Sequence, residues 1–285
     1  MFRKCDIGSN RLLIAVPTLI LVLAIALMLN TYMSTGEWFQ KSIELKGGTL
    51  VSLTTDSPLD ITLIKDDLSQ QFGQVVVREL RSFSGYSLTI QADTSVDTNE
   101  LMSALKDMGL DTSDSSVETM GPSLGESFWT QAQISMIVAF ILMGIIVFVI
   151  FRTFIPSMAV IIAAVSDIIV TLALMQVFSI ELSMASFAAL LMLIGYSIDT
   201  DILLTTRVMR NRENSVSERM TGAFKTGITM TLTTISVLVA VVLTTTSSVL
   251  FAIASVLLLG LFIDIINTWF MNATIIRWYA EKRGL

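Results

Sequence analysis

Four aspartates, Asp167, Asp199, Asp201 and Asp264, stand inside long apolar runs. At the centre of a membrane helix each carboxyl costs roughly 2.5–3.5 kcal/mol on insertion scales, so such residues by default mark an ion path or a substrate site. The plainer reading of any one of them is a buried hydrogen bond between helices, or a carboxyl reaching back to the interface. Neighbouring residues carry matching chemistry: Lys225 and Arg207 can neutralise a carboxylate, and Thr229 and Thr233 place hydroxyls in another apolar run. These eight residues are the ion-coupling candidates. The chain has no histidine, which excludes His-based metal centres and His-dependent catalytic triads. Proton chemistry is left to carboxylates, Tyr, Lys and the single thiol, Cys5. With one cysteine no intrachain disulfide can form, and Cys5 is expected on the cytoplasmic side as a free thiol. No catalytic residue, cofactor site or metal-ligand set is expected.

The elements that position these residues are membrane spans. Of 285 residues, 53% are hydrophobic and only 15% charged, against about 25% charged in a soluble domain. A span needs about 20 mostly apolar residues, and six runs qualify: Leu12–Met33, Ile134–Phe151, Ser157–Phe178, Leu182–Thr205, Gly227–Thr246 and Val249–Ile276. Arg152 and Pro156 bracket a tight turn between the second and third, with Pro156 suited to a helix start. The first run is too long for a signal-peptide core and lacks a clean small-x-small cleavage site, so it reads as an uncleaved anchor.

Positive charge sets the expected orientation. Arg3, Lys4 and Arg11 precede the first span, and Arg152 follows the second. Arg207, Arg210, Arg212, Arg219 and Lys225 lie between the fourth and fifth, and Arg277, Lys282 and Arg283 end the sixth. All twelve fall on one side of a six-span layout, which puts both termini in the cytoplasm. Of the two short loops opposite, one carries only Glu181 and the other, near Thr244–Ser248, is uncharged. Between Ser34 and Thr130 stand six basic and fifteen acidic residues, a net charge of −9. That suits an extracytoplasmic domain and argues against one that binds nucleic acid or anionic lipid.

Depth groups the candidates. Asp167 falls near the middle of the third span, Asp199 and Asp201 in the cytoplasmic half of the fourth, and Asp264 at similar depth in the sixth. Thr229, Thr231, Thr233 and Thr234 lie in the same half of the fifth. A shared polar cavity is therefore expected. Asp199 and Asp201 are about 200° apart around a helix. Asp199 shares a face with Gly195, Leu203 and Arg207, which makes it the expected inward residue. Asp201 is left to pair with Arg207 or to face a neighbouring subunit.

In the extracytoplasmic stretch, Ser42–Thr55 reads as a strand, with Gly47-Gly48 forming either a turn or bulge or a docking feature. Ser57-Pro58-Leu59-Asp60 signals a helix start, with Ser57 as cap, and Gly73 ends that helix. Gln74–Phe83 and Tyr86–Asp93 read as a hairpin turning at Ser84-Gly85. Asp97–Glu100 starts a second helix, ended by Gly109, and Ser115–Thr119 is a last strand. The order β-α-β-β-α-β is the ferredoxin-like pattern, a fold that names no function. The expected architecture is a polytopic α-helical membrane protein with six transmembrane helices and an α+β ferredoxin-like domain between helices 1 and 2. Its parts are 1–33 (N-terminus and first helix), 34–130 (extracytoplasmic domain) and 131–285 (helices 2–6 and C-terminus).

An ordered set of motifs along nearly the whole chain resembles the SecF family of protein-export membrane proteins. Ile194-Gly195-Tyr196-Ser197-Ile198 followed by Arg207 is similar to its fourth-span motif, and Asp167–Leu172 to its third-span motif. Lys46-Gly47-Gly48-Thr49 resembles the start of its extracytoplasmic domain, and Gly121–Gly125 the segment entering the second span. Lys225-Thr226 and Thr229–Thr234 resemble its basic, Thr-rich start of the fifth span. The bacterial pattern has Asn-Asp where Asp199-Thr200 stand here, and Asp199 matches instead an acidic position of the sister subunit SecD. An acidic residue before Arg207 is replaced by Thr206, an Arg by Lys225, and a His before Asp167 by Ser166. These departures resemble archaeal SecF.

The resemblance implies an accessory subunit of the Sec machinery, not an enzyme. It would work with a SecD-like partner and a SecY-type channel on exported polypeptide in the cell membrane, and it would be ion-driven as in the resistance-nodulation-division class. Two other readings are open. A small-molecule exporter of that class usually carries two six-span halves in one chain. An intramembrane aspartyl protease would use Asp167 and Asp199, but the expected Gly-x-Gly-Asp is missing, since Gly195 stands four residues before Asp199.

Overall fold

The structure is a computed structural model that describes residues 7–55, 59–73, 75–83, 85–112, 115–210 and 215–284. Among the described residues, six helices are each long and apolar enough to cross a bilayer: Leu13–Thr35, Pro122–Phe151, Phe154–Val177, Met184–Arg210, Val216–Thr244 and Ser248–Lys282. The first of these is the main part of helix α1 (Ile7–Thr35). The next four are α5 (Pro122–Phe151), α6 (Phe154–Val177), α7 (Met184–Arg210) and α8 (Val216–Thr244). The last is composite. It comprises α9 (Ser248–Ile266), a π-helical turn over Asn267–Asn272 and α10 (Ala273–Lys282). The spans expected from apolar runs are all found. Most extend further, because a helix continues past the hydrophobic stretch where capping allows. Pro122 opens α5 in the first turn, and Ser215 with Glu218 forms a capping box on α8.

The centre of the bundle is α6 and α7, the most buried spans. Their core holds Val160, Ala164, Leu190, Leu193, Val256 and Leu261. Small residues let helices approach where lipid gives no hydrophobic drive. A Cβ at Gly260 of α9 would overlap the Leu193 side chain, and one at Gly227 of α8 would overlap the Trp269 ring.

Between α1 and α5 the chain forms a four-stranded antiparallel sheet in the order β2-β3-β1-β4. The strands are β1 (Gly48–Thr55), β2 (Val75–Ser82), β3 (Gly85–Ala92) and β4 (Ser116–Met120), accompanied by helices α2 (Ile43–Lys46), α3 (Ile61–Phe72) and α4 (Thr98–Asp107). Val51, Leu53, Leu88 and Ile90 point to one face and pack with Leu68 of α3 and Leu101 and Leu105 of α4.

Two local expectations are corrected. The first strand begins at Gly48 rather than Ser42, because Ile43–Lys46 close a helical turn whose Ile43 and Leu45 are buried. The helix expected from Ser57-Pro58 starts at Ile61 instead. There the Asp60 side chain accepts from the Thr62 and Leu63 amides; Ser57 and Pro58 lie outside the described residues. Gln74 and Ser84, expected at the hairpin, and Cys5, Arg3, Lys4 and Arg212 are outside them too. At Gly47-Gly48 the turn and the docking feature coincide. Both have positive φ, and a Cβ on Gly47 would come within 2.9 Å of the Pro122 Cα. Glycine here lets the strand start press against the first turn of α5.

The other face of the sheet sits on the end of the helical bundle. Glu181, in the loop between α6 and α7, accepts from Arg78 Nη2 at 3.0 Å and Gln91 Nε2 at 2.6 Å. Met184 N donates to Glu44 Oε2 at 2.7 Å, and Ser42 N to the Leu182 carbonyl at 2.9 Å. Phe83 N reaches the Leu243 carbonyl at the end of α8.

Candidate functional site

Three of the four aspartates of the apolar runs lie together in the interior. Asp167 of α6, Asp201 of α7 and Asp264 of α9 are each at most 1% exposed. Three helices bring them together because each turns one polar position toward a common axis while its apolar residues face neighbours or lipid. Asp167 Oδ2 accepts from Ser197 Oγ at 2.6 Å, and its Oδ1 from Asn267 Nδ2 at 2.7 Å. Asn267 also donates to Ser166 Oγ. Asp264 faces the hydroxyls of Thr200, at 3.2 Å from Oδ2, and Thr268, at 3.1 Å from Oδ1. Thr268 Oγ1 is also 2.9 Å from Asp201 Oδ1, an oxygen that accepts from Asn272 Nδ2 at 2.6 Å. A continuous hydrogen-bonded chain therefore links Asn272, Asp201, Thr268, Asp264 and Thr200, and Ser197 joins Asp167 from the same face of α7. The ion pairs found among the described residues are elsewhere, at Lys41–Glu37, Arg78–Glu181, Arg81–Glu79 and Arg277–Glu281.

The remaining candidates lie outside this interior. Asp199 is exposed on the surface of the chain, together with Ala188, Met192, Gly195 and Tyr196. The inward residue of the pair is Asp201, which corrects the expected facing. The buried stripe of α7 runs Leu193, Ser197, Thr200, Asp201, Leu204, Thr205 and Val208, and Asp199 falls on its far side. Asp201 does not pair with Arg207, whose Nη1 donates to the Gly222 carbonyl at 2.9 Å. Lys225 is exposed on α8 and forms no ion pair with Asp199. Thr229 and Thr233 are exposed as well, their hydroxyls turned back to the Lys225 and Met230 carbonyls. In an apolar surrounding a hydroxyl without a partner satisfies itself on its own helix.

Sequence reasoning missed Ser197, Thr200, Asn267, Thr268 and Asn272. A signal was present: Asn267, Thr268 and Asn272 follow Asp264 at three, four and eight residues, one helical face, within the apolar run Val249–Ile276. The π-helical turn spanning Asn267–Asn272 was not readable, yet such turns concentrate at functional sites.

Comparison with known proteins follows the same outline. The family described as "Protein export membrane protein SecD/SecF, C-terminal" matches residues 100–282. The chain is 40% identical to the protein-export membrane protein SecF of Methanothermobacter thermautotrophicus, covering 97% of this chain and 94% of that one. It is 38% identical to the SecF of Pyrococcus furiosus, over 95% and 91%. Among solved structures, the translocon-associated membrane protein SecDF of Thermus thermophilus superposes with a TM-score of 0.77 at 20% identity. That match covers 99% of this chain and 39% of the other, so it speaks for the fold.

Proposed function

The chain belongs to the SecD/SecF protein-export family, and from that membership we propose that it is the SecF subunit of the Sec machinery, an accessory to protein export rather than an enzyme. The observation that carries this reading is the similarity to SecF proteins along 97% of the chain. It works beside a SecD-like subunit, since the chain superposes on 39% of a protein named SecDF. The exposed stripe of α7 fits that pairing. A Cβ at Gly195 would meet nothing within 4 Å, and Asp199, one turn on, is an exposed carboxyl in the same span. A helix of the partner supplies contacts to this face; Lys225, Arg207, Thr229 and Thr233 are exposed as well.

The other parts of the reading rest on charge and order. Both termini face the cytoplasm, as the twelve basic residues direct, and residues 34–130 form a ferredoxin-like domain outside, supported by the strand order β2-β3-β1-β4. That domain meets exported polypeptide near a SecY-type channel. Asp199 at the pairing face and Asp167, Asp201 and Asp264 inside couple export to an ion. The protease reading is set aside, because Asp199 and Asp167 lie on opposite sides of α7 and cannot form a dyad.

Purification in mild detergent tests the assignment. A 1:1 complex with a second six-span protein of the SecD type is expected, together with slowed secretion when the chain is depleted. A chain that is fully functional as a monomer in membranes overturns it.

A further inference from the structure

The buried network is short of protons, and the shortage is local. Each threonine hydroxyl has one proton. Thr268 Oγ1 nevertheless lies 2.9 Å from Asp201 Oδ1 and 3.1 Å from Asp264 Oδ1. With both carboxyls ionised, two like charges would divide one hydroxyl proton between them, and one carboxylate oxygen would face an oxygen lone pair. Two further oxygens have no hydrogen-bond partner among the described residues: Asp201 Oδ2 and Asn272 Oδ1. Both side chains are fully buried, where an unpaired polar atom costs about 1–3 kcal/mol and a charged one more. Both are acceptors, so whatever satisfies them must bring a donor or a positive charge.

One proton satisfies both. A carboxylic acid and a carboxamide join through two hydrogen bonds in a ring, N–H to one carbonyl and O–H to the other. Asp201 and Asn272 already make the first, Nδ2 to Oδ1 at 2.6 Å, and the orphaned oxygens are those the second would use. We propose that Asp201 is held as the neutral acid, its Oδ2 proton donated to Asn272 Oδ1, as an internal proton-holding site of this chain. The only bond formed is O–H, and the proton comes from water. Thr268 then turns its hydroxyl to the ionised Asp264, and Asp201 Oδ1 is a neutral carbonyl oxygen that tolerates the Thr268 oxygen beside it.

The surroundings agree. The acidic groups facing Asp201 are Asp264 from α9 and, beyond it, Asp167 from α6. On α8, the buried Arg219 is turned to the Val208 carbonyl, and on α10, Arg277 is paired with Glu281. A cation that would keep Asp201 ionised is absent among these groups. The site lies inside one chain, away from the open α7 face, and it goes beyond the export reading: it stands whether or not the proton moves during export.

Infrared spectroscopy of the purified full chain in lipid at neutral pH tests this. A carbonyl band of a protonated carboxylic acid is expected, shifting in D2O, indifferent to added Na⁺ and lost in Asp201→Asn. Asn272→Leu should move that band, because the acid loses its ring partner. Asp201→Asn copies the neutral acid, with an N–H where the O–H was, so its thermal midpoint should equal or exceed the wild type's. Absence of the band at neutral pH, its removal by Na⁺, or a large loss of folded protein in Asp201→Asn would each overturn the proposal. Removal by Na⁺ would identify a bound cation instead. None of these readouts depends on export, so failure here leaves the SecF assignment standing, and the reverse holds too.

Discussion

At the scale of the residue, Gly195 and Asp199 are exposed on α7, on the face proposed to receive the partner. A side chain at Gly195 meets nothing within 4 Å, so Gly195→Leu should insert and fold at wild-type level. Placed between two packed helices the same isobutyl group obstructs close approach. The expected result is a loss of co-purifying SecD-like partner by tenfold or more, with unchanged yield of this chain; normal pairing would show that the partner sits elsewhere. Asp199→Asn keeps shape and removes charge. It should leave the complex intact and slow secretion several-fold, measured by pulse–chase of an exported protein. The error over Asp199 and Asp201 shows what sequence could and could not say. Periodicity places them on different faces, and the buried stripe Leu193, Ser197, Asp201, Leu204 and Val208 follows three-four spacing. In a membrane, however, the outward face is apolar as well, so hydrophobicity does not label the inside. Gly195, on the face of Asp199, leaves room for close helix approach, but no helix among the described residues fills that room.

At the scale of the element, the site depends on α7 and α9 lying close enough for Thr268 to touch both Asp201 and Asp264. Gly260 sets that distance, because Leu193 of α7 occupies the space where its side chain would be. Gly260→Ala therefore forces overpacking, for which about 1–3 kcal/mol is typical. The expected outcome is a lowered thermal midpoint in detergent and a disturbed network. The same change made in a Leu193→Ala background should cost less than in the wild type, since the two changes share one contact. If Gly260→Ala costs as much in that background as in the wild type, the Leu193 contact does not govern the packing. The six helices themselves were legible, because 20 apolar residues in a row have few other uses. Their composite last member was not. Asn267, Thr268 and Asn272 are hidden in an apolar run, and the π-helical turn that carries them is set by packing against α1, α6 and α7 rather than by local preference.

At the scale of the whole molecule, the sheet and the helical bundle are joined by a few polar contacts around Glu181 and Glu44. Glu181 counted in the sequence only as a lone charge in a short loop; in the fold it holds Arg78 and Gln91 of the sheet. Burial holds the Glu44 carboxyl above its ordinary value of 4.5, outweighing the Met184 N–H that favours its charged form, while Glu118 pushes the same way. A carboxyl whose value is raised by docking favours the docked state while protonated. Docking should thus be firmest in acid and loosen as pH rises from 4.5 through the raised value. Amide hydrogen exchange at Ser42 and Met184 should increase over that window once corrected for intrinsic rate, and Glu44→Gln should flatten the dependence; protection that grows with pH would reverse the assignment. The same joint puts the sheet at one end of the bundle, and the proposed orientation rests on the charge bias between the two ends. Arg152, Arg207, Arg210, Arg219 and Lys225 stand at one end of the bundle, with Lys282 and Arg283 closing the last helix there. Glu181, Leu243 and the sheet stand at the other. Because Cys5 is the sole cysteine, a Cys5→Ser background allows single cysteines to report on either end. Cysteine at Asp93 or Ser247 should be labelled in intact cells by an impermeant maleimide, and cysteine at Lys282 only after the membrane is opened. Asn211, a further test position, lies outside the described residues, and the charge argument assigns it the behaviour of Lys282. Labelling of Lys282→Cys from outside, with Asp93→Cys protected, would invert the molecule and place the acidic domain in the cytoplasm.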